Sequence, residues 1–285
     1  MWPYQILERS IEPMKIAVTG ATGFVGKHIL NELVNQKNIE IVATTRQEVR
    51  MAPEKDGINW VSININQPPK NVFEVLGRPD VLIHLAWNGL SNYRSLDHFE
   101  IELPAQYRFL KTLVEQGLQS LVVTGTCFEY GMQSGPLSPS IKTAPENPYG
   151  FAKDILRKQL EYLQSEYTYN LTWARLFYIY GEGQSDNSLL PQLRKAVELG
   201  KKQFNMSGGE QLRDYLPVTE VARQLVKQSL DRKKYGILNI CSGKPQSVRS
   251  LVESWIRENN WQISPSFGHY PYPDYEPMAF WGDKK

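Results

Sequence analysis

Hydrophobic residues along this chain follow two alternating patterns. Short runs rich in Val, Ile and Leu recur, and longer stretches with apolar residues three or four positions apart lie between them. Such runs predict strands covered on both faces, and the longer stretches predict amphipathic helices. The predicted strands are Lys15–Thr19, Glu40–Thr44, Trp60–Asn64, Val81–Ala86, Leu121–Gly125, Leu171–Leu176 and Ile237–Cys241. The predicted helices are Gly26–Asn35, Val72–Leu76, Phe99–Gln116, Tyr149–Glu166, Leu189–Gly200 and Thr219–Leu230.

This alternation of strands and helices predicts an α/β fold with a doubly wound parallel sheet. The segment 131–148 holds four prolines and predicts a loop that runs over the mouth of a site. The segment 264–285 is rich in Pro, Tyr and Phe. It predicts irregular structure that packs on the rest of the protein.

Composition narrows the classes of function. The chain has 285 residues, a net charge of +2 and only two cysteines, Cys127 and Cys241. We therefore expect no nucleic-acid partner and no disulfide framework. No apolar run is long enough to span a membrane, and residues 1–13, which we interpret as an N-terminal extension, lack the apolar core of a signal peptide. These features favour a cytoplasmic protein with no membrane partner.

A glycine-rich segment directly follows the first predicted strand. Its glycines are Gly20, Gly23 and Gly26, and a helix follows them. Strand, glycine turn and helix form the unit that binds a dinucleotide, because glycines let the backbone approach the pyrophosphate and the helix N-terminus attracts its charge. We therefore expect a bound dinucleotide, held by Gly20, Thr22, Gly23, Phe24, Val25 and Gly26.

A second signature lies far downstream, where Tyr149 and Lys153 are four residues apart and so share one helix face. Asn147 and Pro148 suit the start of that helix. A phenol is a poor acid at neutral pH, and a neighbouring ammonium lowers its pKa. We therefore expect Tyr149 to transfer a proton and Lys153 to lower its pKa.

The other titratable side chains carry weaker signals. His84 lies in an apolar strand, which favours a packed histidine over a catalytic one. Cys127 is interpreted mainly as a small buried residue. The remaining histidines show no metal-ligand spacing, and no metal site is predicted.

Together these motifs resemble the nucleotide-sugar branch of the extended short-chain dehydrogenase/reductase superfamily, the NAD-dependent epimerase/dehydratase family. The resemblance covers the chain from Met14 onward. It includes the segments 82–87 (LIHLAW), 121–126 (LVVTGT), 175–183 (RLFYIYGEG) and 208–215 (GGEQLRDY). It implies a Rossmann-type fold with residues 14–176 and a return segment near 211–245 in the cofactor domain. A smaller, discontinuous substrate-binding lobe would comprise residues 177–210 and 246–285.

The resemblance also implies roles for individual residues. Thr126, Tyr149 and Lys153 would be catalytic, and Lys153, Leu85, Ala86 and Phe177 would also contact the cofactor. The residues expected to contact a nucleoside-diphosphate sugar are Trp87, Cys127, Phe128, Tyr178 and Arg213. The family commonly dimerises through the two helices near 99–116 and 149–166, so we expect a homodimer.

The end of the second predicted strand bears on cofactor choice. NAD-selective folds place an acid there to bond both ribose hydroxyls. Here Thr45 and Arg46 occupy that position, and an arginine suits a 2′-phosphate. This favours NADP(H), with NAD(H) as the alternative.

The family performs several reactions on activated sugars. Its 4,6-dehydratases carry Thr-Asp-Glu where this chain has Thr126, Cys127 and Phe128, which argues against dehydration. Tyr178 replaces a usual substrate-binding Asn, and Glu102 lies near the position of a usual helix Asn. These two departures indicate a less common subgroup. A reductase consumes NADPH, whereas an epimerase recycles bound NAD, so Thr45 and Arg46 favour a reductase. We therefore predict an NADPH-dependent reductase of a nucleotide-linked 4-keto-6-deoxy sugar, an oxidoreductase of deoxysugar and O-antigen biosynthesis similar to dTDP- or CDP-4-keto-6-deoxyhexose reductases. The alternatives are a sugar-nucleotide 4-epimerase with tightly bound NAD and a non-catalytic NADP-sensing regulator.

Overall fold

A computed structural model of the protein describes residues 12–53 and 55–284. Most of the predicted N-terminal extension, residues 1–11, lies outside the described residues. The strands are β1 (Met14–Thr19), β2 (Ile39–Thr45), β3 (Ile58–Ser62), β4 (Val81–His84), β5 (Ser120–Thr126), β6 (Gly135–Leu137), β7 (Asn170–Leu176), β8 (Tyr178–Tyr180), β9 (Gln203–Asn205), β10 (Leu212–Arg213), β11 (Tyr215–Pro217), β12 (Gly236–Ile240), β13 (Gln246–Ser247), β14 (Ser264–Ser266) and β15 (Phe280–Gly282). The α-helices are α1 (Phe24–Leu33), α2 (Val72–Val75), α3 (Leu103–Glu115), α4 (Pro148–Leu163), α5 (Leu189–Glu198), α6 (Val218–Asp231) and α7 (Val248–Glu258).

The seven predicted strands form one parallel sheet in the order β12-β7-β5-β4-β1-β2-β3, which confirms the α/β, doubly wound fold. The order reverses between β1 and β4, where Thr19 pairs in register with His84. Ligands of open α/β sheets bind beyond the carboxyl ends of the strands at such a reversal. The fold therefore places a ligand cleft beside Thr19 and His84.

Two apolar layers cover the sheet. Helices α1 and α6 pack on one face through residues such as Ile29 and Leu225, and α3 and α4 pack on the other through Phe109 and Leu156. All four side chains are buried, as expected for helices with one apolar stripe.

The predicted helix 99–116 is divided. A π-helical turn, His98–Glu102, precedes α3, and it buries His98 and Glu102. Helix α7 was not predicted, because its apolar positions lie in a segment assigned to the substrate lobe by resemblance alone. It packs with α5 and Phe204 in a separate apolar cluster that includes Trp255.

The C-terminal segment is more ordered than its composition predicts. β14 pairs with β9, and β15 pairs with β6, so the chain end lies against the proline-rich segment 131–148. No helix among residues 12–53 and 55–284 is long and apolar enough to cross a membrane.

Candidate active site

The glycine turn after β1 has the shape that a dinucleotide phosphate requires. Gly20 has a φ of +69°, and a Cβ atom there would lie 2.8 Å from the backbone nitrogen of Ala86. A Cβ atom on Gly26 would collide with Gly20 and Ala21, so α1 can approach the turn closely only with glycine there. The first-turn N–H groups of α1 have no partner within their own helix and point toward this turn. These residues fit a dinucleotide pyrophosphate.

A cleft of about 780 Å³ extends from this turn across the ends of β4, β5 and β7. Every residue predicted to bind the cofactor or to be catalytic lines it, as do four of the five predicted substrate-contacting residues. The exception is Arg213. Among the described lining residues the only carboxylate is Glu276, and the cations are Arg46 and Lys153.

Thr126 is held at the end of β5 by a buried carboxylate. Its backbone N–H donates to Glu129 Oε1 at 2.8 Å, and its Oγ1 accepts the N–H of Phe128 at 3.3 Å. Thr126 thus caps the short 3₁₀ turn Cys127–Tyr130. The Oγ1 thus accepts from the backbone, and the same side chain forms a hydrogen bond with Tyr149.

Helix α4 carries the predicted proton-transfer residue. Asn147 Oδ1 accepts the N–H of Gly150 at 2.8 Å, and Pro148 occupies the first turn, so the predicted helix start is confirmed. Tyr149 lies among aromatic rings, with the Tyr93 ring stacked on it at 5.2 Å between centroids and the Phe128 ring edge-on at 6.4 Å.

The expected lowering of the Tyr149 pKa is wrong for this structure. Burial raises the pKa of Tyr149 well above its usual value, and the nearby Tyr93 and Glu129 raise it further, although a hydrogen bond with Thr126 acts in the opposite direction. The sequence could not foretell this aromatic enclosure, because Tyr93 lies 56 positions away from Tyr149 along the chain. At neutral pH Tyr149 therefore keeps its proton.

Lys153 is buried one turn further along α4. Its Nζ donates to the backbone oxygen of Thr124 at 2.9 Å and lies 4.1 Å from the centre of the Trp87 ring. Burial lowers the pKa of Lys153 to about 7, against the opposing charges of Glu129 and Glu102. The amine therefore titrates near neutral pH, where small changes in its surroundings control its charge.

His84 is a packed residue, as predicted. Its Nδ1 pairs with Thr19 Oγ1 and its Nε2 with Gln106 Oε1, both at 2.8 Å. Burial lowers the pKa of His84 to about 3, so the ring is neutral. Burial likewise raises the pKa of Cys127, which lies buried on the cleft wall as a thiol.

At the end of β2 the structure brings together residues from three loops. Thr45 is buried, and its Oγ1 accepts the N–H of Gln47 at 3.1 Å. Arg46 is exposed at the rim and donates to Asn88 Oδ1 at 2.5 Å. The segment 63–66 after β3 lines the same end of the cleft. Neither Asn88 nor this segment was predicted, because no local pattern marks them.

The far end of the cleft is bounded by the C-terminal segment. Arg213, one of the residues expected to contact the nucleoside-diphosphate sugar, is buried. Its guanidinium donates to Glu276 Oε2 at 2.8 Å and to Tyr178 OH at 3.3 Å. Tyr275, next to Glu276, packs against Phe128 with ring centroids 6.3 Å apart. The sequence missed Glu276 because its partner lies 63 residues away.

In the described part of the chain, no cluster of three or more His, Cys, Asp or Glu side chains could hold a metal ion.

Comparison with known proteins shows the family to which the chain belongs. The family model described as "NAD dependent epimerase/dehydratase family" matches residues 16–241. The chain belongs to this family. The resemblance drawn from Gly20, Tyr149 and Lys153 is confirmed at the family level.

Two curated relatives and one solved structure are similar to this chain over most of its length. The chain is 31% identical over 274 residues to a dTDP-6-deoxy-L-talose 4-dehydrogenase (NAD(+)) of Aggregatibacter actinomycetemcomitans, which covers 95% of this chain and 100% of that protein. It is 26% identical to a UDP-glucose 4-epimerase of Halalkalibacterium halodurans, over 84% of this chain and 79% of the relative. The structure of MoeE5 in complex with UDP-glucose and NAD superposes with a TM-score of 0.78 at 25% identity, covering 95% and 90% of the two chains. The chain is an enzyme of this family, and a pyridine nucleotide is its cofactor.

Proposed function

We propose that this protein reduces the C4 ketone of a nucleotide-linked 4-keto-6-deoxy sugar with NADPH. The observation that carries the proposal is the convergence of Thr126, Tyr149 and Lys153 at one end of a dinucleotide cleft. The dTDP-6-deoxy-L-talose 4-dehydrogenase, which matches over its full length, supports chemistry at C4 of a 6-deoxy sugar. Reduction of such a ketone yields an activated deoxysugar, suited to surface polysaccharide such as O-antigen.

Thr126, Tyr149 and Lys153 each have a different role in the proposed reaction. When bound, the reduced nicotinamide supplies the hydrogen and electron pair that C4 accepts. Thr126 donates a hydrogen bond to the carbonyl oxygen, and Tyr149 gives that oxygen its proton as the C–O double bond becomes a single bond. Lys153 holds the ribose and, when charged, stabilises the phenolate left on Tyr149. Water then returns the proton to Tyr149.

The protonation state of Tyr149 supports the direction of reduction. A reductase must begin with the proton on the phenol, and the raised pKa of Tyr149 keeps it there at neutral pH. The opposite reaction, oxidation of a carbinol, must begin with a phenolate. General acid catalysis of this kind contributes roughly 10²- to 10⁴-fold to the rate.

The end of β2 supports NADPH as the reductant. Arg46 is the cation at that rim, and among the described lining residues the one carboxylate, Glu276, belongs to the opposite, C-terminal wall. An arginine can make paired, charge-assisted bonds to a 2′-phosphate. The similar dTDP-6-deoxy-L-talose 4-dehydrogenase is named for NAD(+), so the Arg46→Glu variant provides the direct check. It should weaken NADPH binding far more than NADH binding.

A second reaction, 4-epimerisation, is favoured by the likeness to the UDP-glucose 4-epimerase. The two reactions differ in what happens to the cofactor. A reductase consumes NADPH in proportion to sugar, whereas an epimerase recycles bound NAD.

The test is NADPH oxidation followed by absorbance, with dTDP-, CDP- and GDP-4-keto-6-deoxyhexoses offered in turn. Stoichiometric loss of NADPH with one of them supports the reductase and identifies the nucleotide that its sugar substrate carries. No loss with any of the three, from protein that purifies with NAD bound, would replace it with the epimerase.

The proposal extends to a homodimer formed by α3 and α4. Ile101, on the π-helical turn that leads into α3, and Phe151, on α4, are about half exposed. The Phe99 and Phe151 rings meet edge-on at 6.1 Å, so the turn and α4 are in contact. Exposed apolar groups on two packed elements suit a two-fold contact. Light scattering on the purified protein should give twice the mass of one chain, and Phe151→Glu should shift it toward the monomer.

A further inference from the structure

A continuous chain of hydrogen bonds runs beneath the cofactor end of the cleft. At its centre is Glu102, a carboxylate on the π-helical turn before α3 that is only 4% exposed. Its Oε1 accepts from Asn88 Nδ2 at 2.7 Å. Its Oε2 accepts from the backbone N–H of Asn88 and from Gln106 Nε2, both at 3.1 Å. All three bonds require an acceptor at both oxygens.

The direction of each bond in this chain is fixed. Because Gln106 gives its amide N–H to Glu102, its oxygen must accept, and so His84 carries its proton on Nε2. His84 Nδ1 then accepts from the Thr19 hydroxyl. On the other side the Asn88 amide donates to Glu102, which leaves its oxygen to accept from Arg46. The Glu102 carboxylate thereby fixes the orientation of each side chain in this hydrogen-bonded series, which runs from Thr19 through His84, Gln106 and Asn88 to Arg46.

The hydrogen-bond series ends at Arg46, and its effect there bears on ligand binding. Arg46 is a long, exposed side chain whose free conformers would point in many directions. Its NH1 is held by Asn88, which leaves other N–H donors of the guanidinium available at the rim. Holding such a side chain in place before a ligand arrives removes an ordering cost of roughly 2- to 10-fold in affinity.

We propose that Glu102 is a positioning residue for cofactor selection, which acts through Asn88 to hold Arg46 where the 2′-phosphate of the dinucleotide binds. This rests on the proposed NADP(H) preference. Substitution of Glu102 by Gln places an NH₂ group against at least one of three N–H donors. In one orientation of the new amide the Asn88 side chain loses its acceptor, and in the other the Asn88 backbone N–H does. Either loss loosens Asn88, and through it Arg46.

The test measures binding of two small probes that differ by one phosphate, 2′,5′-ADP and 5′-AMP, by calorimetry. Glu102→Gln and Asn88→Ala should each weaken 2′,5′-ADP roughly 2- to 10-fold and leave 5′-AMP unchanged. In an Arg46→Ala background neither should weaken 2′,5′-ADP further, because their effect passes through Arg46. Glu100→Gln, an exposed glutamate on the same π-helical turn, should change neither probe.

The outcomes separate the inference from the proposed function. If Arg46→Ala weakens 2′,5′-ADP while Glu102→Gln and Asn88→Ala do not, the positioning role is overturned and the NADP(H) preference stands. Equal loss of both probes, or the same loss with and without Arg46, also overturns it, since that is the mark of a general structural role. If Arg46→Ala itself leaves the two affinities in the same ratio, the NADP(H) preference fails and the positioning role fails with it. Asn88→Ala, which changes a cleft-lining side chain rather than a buried charge, keeps the test valid if Glu102→Gln does not fold.

Discussion

Glu129 and Arg175 form a buried ion pair directly behind Thr126. Glu129 Oε2 lies 2.6 Å from Arg175 Nε, and both side chains are at most 1% exposed. The other carboxylate oxygen accepts the N–H of Thr126, and Trp173 Nε1 also donates to it at 2.9 Å. One carboxylate therefore joins the ends of β5 and β7 and fixes the Thr126 backbone.

Glu129→Gln should destabilise the protein strongly. It leaves the Arg175 charge buried with its partner removed, which costs about 3–5 kcal/mol. Glu161→Gln is the matched control, because Glu161 pairs with Arg157 but its side chain is 42% exposed. That control should lower the free energy of unfolding by less than about 1 kcal/mol. Equal losses for the two variants in urea unfolding would contradict the role given to Glu129.

Tyr149→Phe should lower turnover strongly while the cofactor still binds. It removes the proton donor but keeps the aromatic packing with Tyr93 and Phe128. We expect kcat to fall by roughly 10²- to 10⁴-fold, with NADPH affinity by fluorescence titration unchanged. Tyr162→Phe, on the same helix and 79% exposed, should leave kcat as it is. Retained turnover in Tyr149→Phe would remove Tyr149 from its role.

The buried amine of Lys153 makes stability depend on pH. Its pKa is about 7 in the folded protein and 10.5 ordinarily, so between these values the unfolded chain holds a proton that the folded chain does not. The free energy of unfolding therefore gains a contribution that increases as pH rises through this window. Lys153→Met lacks that contribution.

The measurement is urea unfolding of both proteins from about pH 6 to about pH 9, below the range where buried phenols and thiols dominate. The free energy of wild type minus that of Lys153→Met should increase with pH. Lys158→Met, whose side chain is 45% exposed on the same helix, is the control for loss of a lysine charge. A pH-independent difference between wild type and Lys153→Met would contradict the burial of a titrating amine.

The Arg213–Glu276 pair gives a prediction about substrate binding. If Arg213 clamps a substrate phosphate, Glu276 competes for the same guanidinium. Glu276→Gln should then tighten binding of a nucleoside diphosphate measured by calorimetry, by several-fold. Asp274→Asn, whose pair with Arg94 is exposed, is the control and should have little effect. Weaker binding in Glu276→Gln would show that Glu276 contacts the ligand itself.

The sequence predicted those parts of the site whose residues lie close together along the chain. The turn at Gly20, the cap at Asn147 and the spacing of Tyr149 and Lys153 are short-range features, and the fold presents them as predicted. It failed for carboxylates whose partners are distant in the chain. Glu129 and Arg175 are 46 positions apart, and Glu276 and Arg213 are 63 apart. No periodicity reveals such pairs.

The prediction of a lowered Tyr149 pKa was wrong for a related reason. The i, i+4 spacing put an ammonium near the phenol, but it carried no information about the Trp87, Tyr93 and Phe128 rings that surround Tyr149. Desolvation by these rings outweighs the attraction expected from Lys153, whose amine bonds the Thr124 oxygen instead.

The most direct test of the central claim follows the hydrogen that leaves the cofactor. NADPH carrying deuterium at the transferred position of the nicotinamide is incubated with the enzyme and a nucleotide-linked 4-keto-6-deoxy sugar, and the product is analysed by mass spectrometry. Reduction predicts one deuterium at C4 of the product for each NADPH consumed. A product that changes configuration without gaining deuterium, while NADPH stays intact, would contradict the reductase.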